Sequence, residues 1–119
     1  LGEKMKYYLE AFKKYAEFSG RAGRKEYWMF VLFNIIFFVV INMIDTALET
    51  TILSGIYSLA IMIPSLAACT RRLHDIGKSG WMILVSLIPL VGWIWIIVLL
   101  ATKGDEKENQ YGPVPADIE

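Results

Sequence analysis

Apolar and polar positions along the chain separate into long blocks. Three windows carry no Asp, Glu, Lys or Arg: residues 27–44 (18 residues), 50–70 (21 residues) and 79–102 (24 residues). A hydrocarbon core ~30 Å thick is crossed by about 20 apolar residues in α-helix, with a range of about 17–25. Each window meets that length. The pattern therefore predicts three transmembrane helices: span one over 27–44, span two over 50–70 and span three over 79–102. A different pattern precedes them. Met5, Tyr8, Leu9, Phe12, Tyr15 and Ala16 recur at the spacing of one helix face over residues 5–18. Lys6, Glu10, Lys13, Lys14 and Glu17 take the opposite face, with Lys6–Glu10, Glu10–Lys14 and Lys13–Glu17 spaced one turn apart. Such a helix just before a span suits a position flat in the interface, in preference to one capping the bundle. Ser19-Gly20 ends it. The expected fold is an all-α membrane protein, one membrane domain over residues 1–119, with the polar tail 103–119 as an exposed extension.

Composition sharpens this picture. The 119 residues are 55% hydrophobic with a mean hydropathy of +0.45, and 12 Lys/Arg balance 12 Asp/Glu. A soluble domain is already about 45–50% apolar, so the segregation matters more than the average. It excludes a soluble enzyme and a disordered chain, and the single Cys69 excludes a disulfide scaffold. The charges alternate: +3 over residues 1–26, −2 over 45–50, +2 over 71–78 and −3 from 103 onward. Lys/Arg-rich flanks stay in the cytoplasm. The N-terminus and the 71–78 loop are thus expected inside, and the 45–50 turn and the C-terminal tail in the periplasm. Trp28 and Trp81 are expected as interface anchors at the cytoplasmic ends of spans one and three. No small-residue cleavage site follows the first window, which reads as a retained span and not a signal peptide. Met5 reads as the native start, with residues 1–4 a remnant. Net basicity toward nucleic acid is absent, so that partner class is set aside.

Candidate chemistry is sparse. Ser54, Ser58, Ser65 and Ala68 fall within about 80° on span two, a small-residue stripe expected for helix packing, with bulky Ile61 interrupting it. Pro64 is expected to interrupt the same helix. Asn34, Asn42 and Asp45 make a polar stripe on span one, expected to face protein and bond between helices more than to line a path. No titratable group lies mid-span, which argues against a proton-coupled transporter. The segment 71–81 concentrates Arg71, Arg72, Lys78, the only histidine and Asp75 beside the membrane. It admits three readings. The charges lock topology. Or Arg71, Arg72 and Lys78, joined by Arg21, Arg24 and Lys25, bind an anionic headgroup. Or His74 acts as a base oriented by Asp75; adjacent helix positions point about 100° apart, which weakens this one. A helix continuing through Asp75 would pair Arg71 with Asp75 and stop at Gly77. One His and one Cys without a carboxylate cluster make no metal site, and no nucleophile elbow or P-loop implies a cofactor.

Four runs then occur in order. They are Phe18-Ser19-Gly20-Arg21-Ala22-Gly23-Arg24-Lys25-Glu26-Tyr27-Trp28, Arg71-Arg72-Leu73-His74-Asp75-Ile76-Gly77-Lys78-Ser79-Gly80-Trp81, Ile88-Pro89-Leu90-Val91-Gly92-Trp93 and Glu108-Asn109-Gln110-Tyr111-Gly112-Pro113. Together they resemble the domain of unknown function 805 family of small bacterial inner-membrane proteins. Gln110 stands where that family often has an Arg. The resemblance implies an integral inner-membrane protein and supplies no reaction, cofactor or substrate. The expected function is a non-enzymatic membrane component whose cytoplasmic basic site engages anionic lipid headgroups or a protein partner. The alternatives are a small hydrolase or transferase on a lipid-linked phosphate, using His74 and Asp75, or a subunit of a homo-oligomeric transporter.

Overall fold

Two long helices grow from the first two apolar windows in a computed structural model that describes residues 2–115, the Glu3 side chain apart. Helix α2 covers Arg24–Ala47 and helix α3 covers Ile52–Asp75, each of 24 residues. At 1.5 Å per residue each is about 36 Å long, enough to cross a bilayer. Only 11% and 22% of their most apolar stretches are buried. Side chains such as Ile35, Met43, Ile56 and Leu59 point outward and are more than half exposed. Core helices of a soluble fold would bury them; an apolar solvent accepts them.

Asp45 makes the tight α2–α3 turn. Its buried carboxylate accepts from the Ser54 and Leu53 backbone N–H groups at 2.8 and 3.2 Å, satisfying orphan donors in the first turn of α3. The expected interhelical role of the polar stripe is met at Asp45 and at Asn34, which accepts from the Tyr57 hydroxyl at 2.5 Å. Asn42 instead donates to Phe38 O of its own helix. The small-residue stripe packs unevenly: Ala68 is buried, Ser54 and Ser65 are half-buried, Ser58 is exposed, and Ile61 is itself in the core. Pro64 is buried within an unbroken α3.

Helix α1, Gly2–Lys13, begins and ends before the expected 5–18. It packs over the α2–α3 seam, burying Tyr8 and Ala11 against Phe30, Phe33, Ile61 and Ala68. The Tyr8 ring lies 5.0 Å from Phe37 and 5.7 Å from Phe30. Its hydroxyl meets that of Tyr57 at 2.8 Å. Because Tyr57 donates to Asn34, Tyr8 donates to Tyr57, and one relay links three helices. Burial, and then the bond with Tyr57, pushes the Tyr8 phenol above its ordinary pKa, keeping it a neutral donor.

The third window does not fold as one helix. Residues Gly80–Leu87 form a 3-10 helix; Ile88 to Leu90 turn, with Leu90 at φ 61°; and helix α4 covers Val91–Ala101. Gly92 sits against Val85 O so closely that any Cβ would collide with it, which permits the turn. The Trp93 indole donates to Ser86 O at 2.9 Å across the hairpin. Gly80 abuts Thr70 near the end of α3, and Leu100 and Thr102 return to Arg72 and Trp28 at that same end. The single helix expected over 79–102 is therefore not formed. Eleven residues of α4 reach only about 16 Å, roughly half a hydrocarbon core. The tail, expected apart from the 71–78 loop, packs beside it at the end of α3. The tail is not a free extension either: residues 103–112 dock on α3, while 116–119 lie outside the described residues.

Candidate functional site at the basic end

The last turn of α3 carries Arg71, Arg72, His74 and Asp75, all buried. Helix α3 remains regular through Asp75, and Gly77 at φ 76° stops it, as the pattern predicts. Asp75 is the hub. Its Oδ1 accepts from Arg21 Nε at 2.9 Å and its Oδ2 from Arg72 Nη1 at 2.7 Å, with all three side chains at most 3% exposed. The pairing predicted between Arg71 and Asp75 is thus made by Arg72, three residues away. A turn of 3.6 residues allows either spacing, and the inward face of α3 selects this one.

Arg21 uses every guanidinium N–H. Beyond Asp75 Oδ1 it donates to Lys107 O at 2.9 Å, Gly112 O at 3.1 Å, Asp75 O at 3.3 Å and Asp105 O at 2.6 Å. One side chain from the α1–α2 loop thereby ties the tail to the end of α3. Arg72 donates to Leu100 O at 2.9 Å, Ala22 O at 3.1 Å and Thr102 O. It supplies the cation and donors that the last carbonyls of α4 lack. Trp28 adds a bond to Leu100 O at 3.1 Å, which ties its indole to the end of α4. Trp81 is 79% exposed. Arg71 donates to Glu17 O at 2.6 Å, and its buried Nε has no partner among the described residues.

The six cations read as an anion site therefore divide. Arg21, Arg71 and Arg72 are buried and directed at protein acceptors. Lys25 and Lys78 are exposed and Arg24 is half-buried. Sequence reasoning placed all six on one side but had no measure of which main-chain carbonyls would converge on them.

The His74–Asp75 pair of the catalytic reading is not formed. Asp75 faces the two arginines, while His74 Nδ1 donates to Gly20 O at 2.9 Å and its ring stacks on Tyr111 at 3.9 Å, nearly parallel. The roughly 100° between neighbouring helical positions separates them. Among the described residues no three His, Cys, Asp or Glu side chains group to hold a metal. Tyr111, Asn109 and Gly104 enter the site unforeseen. Asn109 Nδ2 donates to His74 O at 3.0 Å, and Asp105 N to Asp75 O at 2.8 Å. The only sequence signal for Asn109 and Tyr111 is the Asn-Gln-Tyr-Gly run itself, and Gly104 lies outside it.

Beside this node lies a cavity of about 470 Å³ between α3, the 3-10 segment and the α1–α2 loop. Its walls are largely apolar, with Thr70, His74 and Ser79 as the polar exceptions.

Known proteins bear on the reading as follows. The chain is 44% identical over 117 residues to inner membrane protein YhaH of Escherichia coli (strain K12), across 93% of this chain and 97% of that protein. It is 45% identical over 113 residues to inner membrane protein YhaI of the same strain, across 93% and 96%. Uncharacterized protein YiiR of that strain is 27% identical over 128 residues, across 85% and 87%. No solved structure matches. A family model described as protein of unknown function (DUF805) matches residues 15–113. With two helices long enough to cross a bilayer and inner-membrane relatives along nearly its full length, the chain belongs to the DUF805 family.

Proposed function

We propose that the protein crosses the inner membrane twice, through α2 and α3, and that residues 79–102 enter the bilayer as a re-entrant hairpin from the cytoplasmic side. Its role in this reading is non-enzymatic: the sealed end of the bundle presents Lys25, Lys78 and the lysines of α1 to anionic headgroups of the inner leaflet. One observation carries it. With the hairpin doubled back, the segments 13–25, 71–78 and 103–107, which hold ten of the 12 Lys/Arg, join at the end of α3, and the turn between α2 and α3 holds Asp45 and Glu49 but no cation. The positive-inside rule counts Lys and Arg, and this arrangement satisfies it without exception. Three crossings would put Lys103 and Lys107 outside.

Each surface cation near an anionic leaflet contributes about 1 kcal/mol of attraction. Exchanging Lys25 and Lys78 for Gln should lower preference for anionic lipid severalfold. Spin-labelled phosphatidylglycerol and phosphatidylcholine in reconstituted bilayers report it as the ratio of motionally restricted lipid. The preference should also shrink as salt rises. A ratio unmoved by both the double substitution and salt would dispose of the headgroup role.

A further inference from the structure

The arginine node saturates itself, but the cavity beside it does not. His74 Nδ1 donates to a carbonyl, and in the tautomer which that bond selects Nε2 is the acceptor nitrogen. Stacking on Tyr111 holds the ring in that orientation. Among the described residues neither Nε2 nor the Thr70 hydroxyl has a hydrogen-bond partner, and both residues line the cavity. Two unbonded polar groups, beside Ser79 whose hydroxyl already accepts from Trp81 N, in a largely apolar recess of about 470 Å³ are the layout of a small-molecule site. Its position narrows the occupant. Leu66 and Leu84 place its deep side along the apolar bodies of α3 and the hairpin. At its other side Ser79 follows the exposed Lys78, and Trp81 projects where indoles meet headgroups. The site asks for an acyl chain, an anion and a donor for Nε2.

We propose, building on the headgroup reading above, that this cavity holds one anionic lipid with a hydroxyl-bearing headgroup, of the phosphatidylglycerol kind. The headgroup hydroxyl donates to His74 Nε2, the Thr70 hydroxyl donates to a phosphate or ester oxygen, Lys78 lies on the phosphate side, and one chain rests on Leu66 and Leu84. An amine headgroup would also donate to Nε2, but it brings a second cation toward Lys78. An anionic diester without a hydroxyl leaves Nε2 unmet, and an unmade hydrogen bond in an apolar site costs about 1–3 kcal/mol.

The test is native mass spectrometry of the full-length protein released from bilayers of equimolar phosphatidylglycerol, phosphatidylmethanol and phosphatidylcholine. Phosphatidylmethanol matches phosphatidylglycerol in charge and lacks its hydroxyls. The expected result is one retained lipid, phosphatidylglycerol over phosphatidylmethanol by about fivefold or more. His74→Asn keeps a donor for Gly20 and removes Nε2, and should bring that ratio to one; Thr70→Val should lower total retention. Equal retention of the two anionic lipids by the wild-type protein overturns the site, as does a preference that survives His74→Asn. If His74→Asn does not fold, the wild-type comparison decides alone. Should both anionic lipids outlast phosphatidylcholine equally, the general headgroup reading stands without the hydroxyl site; should phosphatidylcholine persist as well as either, both fall.

Discussion

Gly104 lies against the carboxylate of Asp75 with no room between them for a Cβ atom. Asp75 has nowhere to retreat, because Arg21 Nε and Arg72 Nη1 hold its two oxygens at 2.9 and 2.7 Å. The backbone of the tail and the hub of the node are thus in direct contact, and only glycine permits it. Gly104→Ala should push the tail away from α3. The expected readout is faster tryptic cleavage after Lys107 and a stability loss of about 1–3 kcal/mol, the usual cost of overpacking a fixed site. Gly55 is the control: it is helical, exposed and has open space around it, so Gly55→Ala should be neutral or stabilise by about 0.5–1 kcal/mol. Equal cleavage rates in Gly104→Ala and wild type would show that the tail is not clamped there.

The node concentrates cost in one carboxylate. Asp75→Asn leaves the guanidinium groups of Arg21 and Arg72 buried without their counter-charge. Breaking a buried pair from one side costs about 3–5 kcal/mol, far more than the intact pair contributes, because a desolvated charge is stranded. Chemical unfolding in detergent should register a loss of that size. Removing the Glu106 partner of Lys103, an exposed pair at 2.9 Å, should leave the curve unmoved. Arg72→Lys should fare almost as badly as Asp75→Asn, since one ammonium cannot serve Asp75, Leu100 O, Ala22 O and Thr102 O together. A small effect at Asp75 would mean that water reaches the node.

The hairpin makes a topological prediction. In a Cys69→Ala background, single cysteines at Lys13, Leu48 and Lys107 should react with an impermeant thiol reagent from two sides. Positions 13 and 107 should label together, in inverted inner-membrane vesicles, and position 48 only in right-side-out ones. Labelling of 107 together with 48 would restore a third crossing and remove the re-entrant hairpin.

Much of the architecture is legible from local pattern. Of the predicted apolar face of α1, Met5, Tyr8 and Phe12 pack inward, while Leu9, Tyr15 and Ala16 are exposed and the buried Ala11 lies outside the predicted set; the helix sits over the α2–α3 seam and joins the Tyr57–Asn34 relay. The uncharged stretches marking α2 and α3 need only a count, because backbone groups in lipid must bond within the helix. Asp45 and Asn34 were legible as polar groups needing protein partners. The third stretch folds as a hairpin and not as the one helix expected, for a physical reason: length and hydropathy state that it prefers lipid, not which path its backbone takes. Pro89 and Gly92 can bend an apolar run, but when windows are judged one at a time they do not outweigh its 24 uncharged residues.

What the sequence alone determined, then, is what is additive along the chain: which stretches are helical, which prefer lipid, and where cations gather. Tertiary structure alone decided that Arg21 would bind residues 105–112, that Arg72 and not Arg71 would pair with Asp75, and that Arg72 would seize the last carbonyls of α4 and bring the hairpin home. Apart from the Arg72–Asp75 pair, those contacts join positions 28 to 91 residues apart. Each depends on the direction of a side chain and on main-chain acceptors that every residue carries alike, so no pattern of residue types announces them.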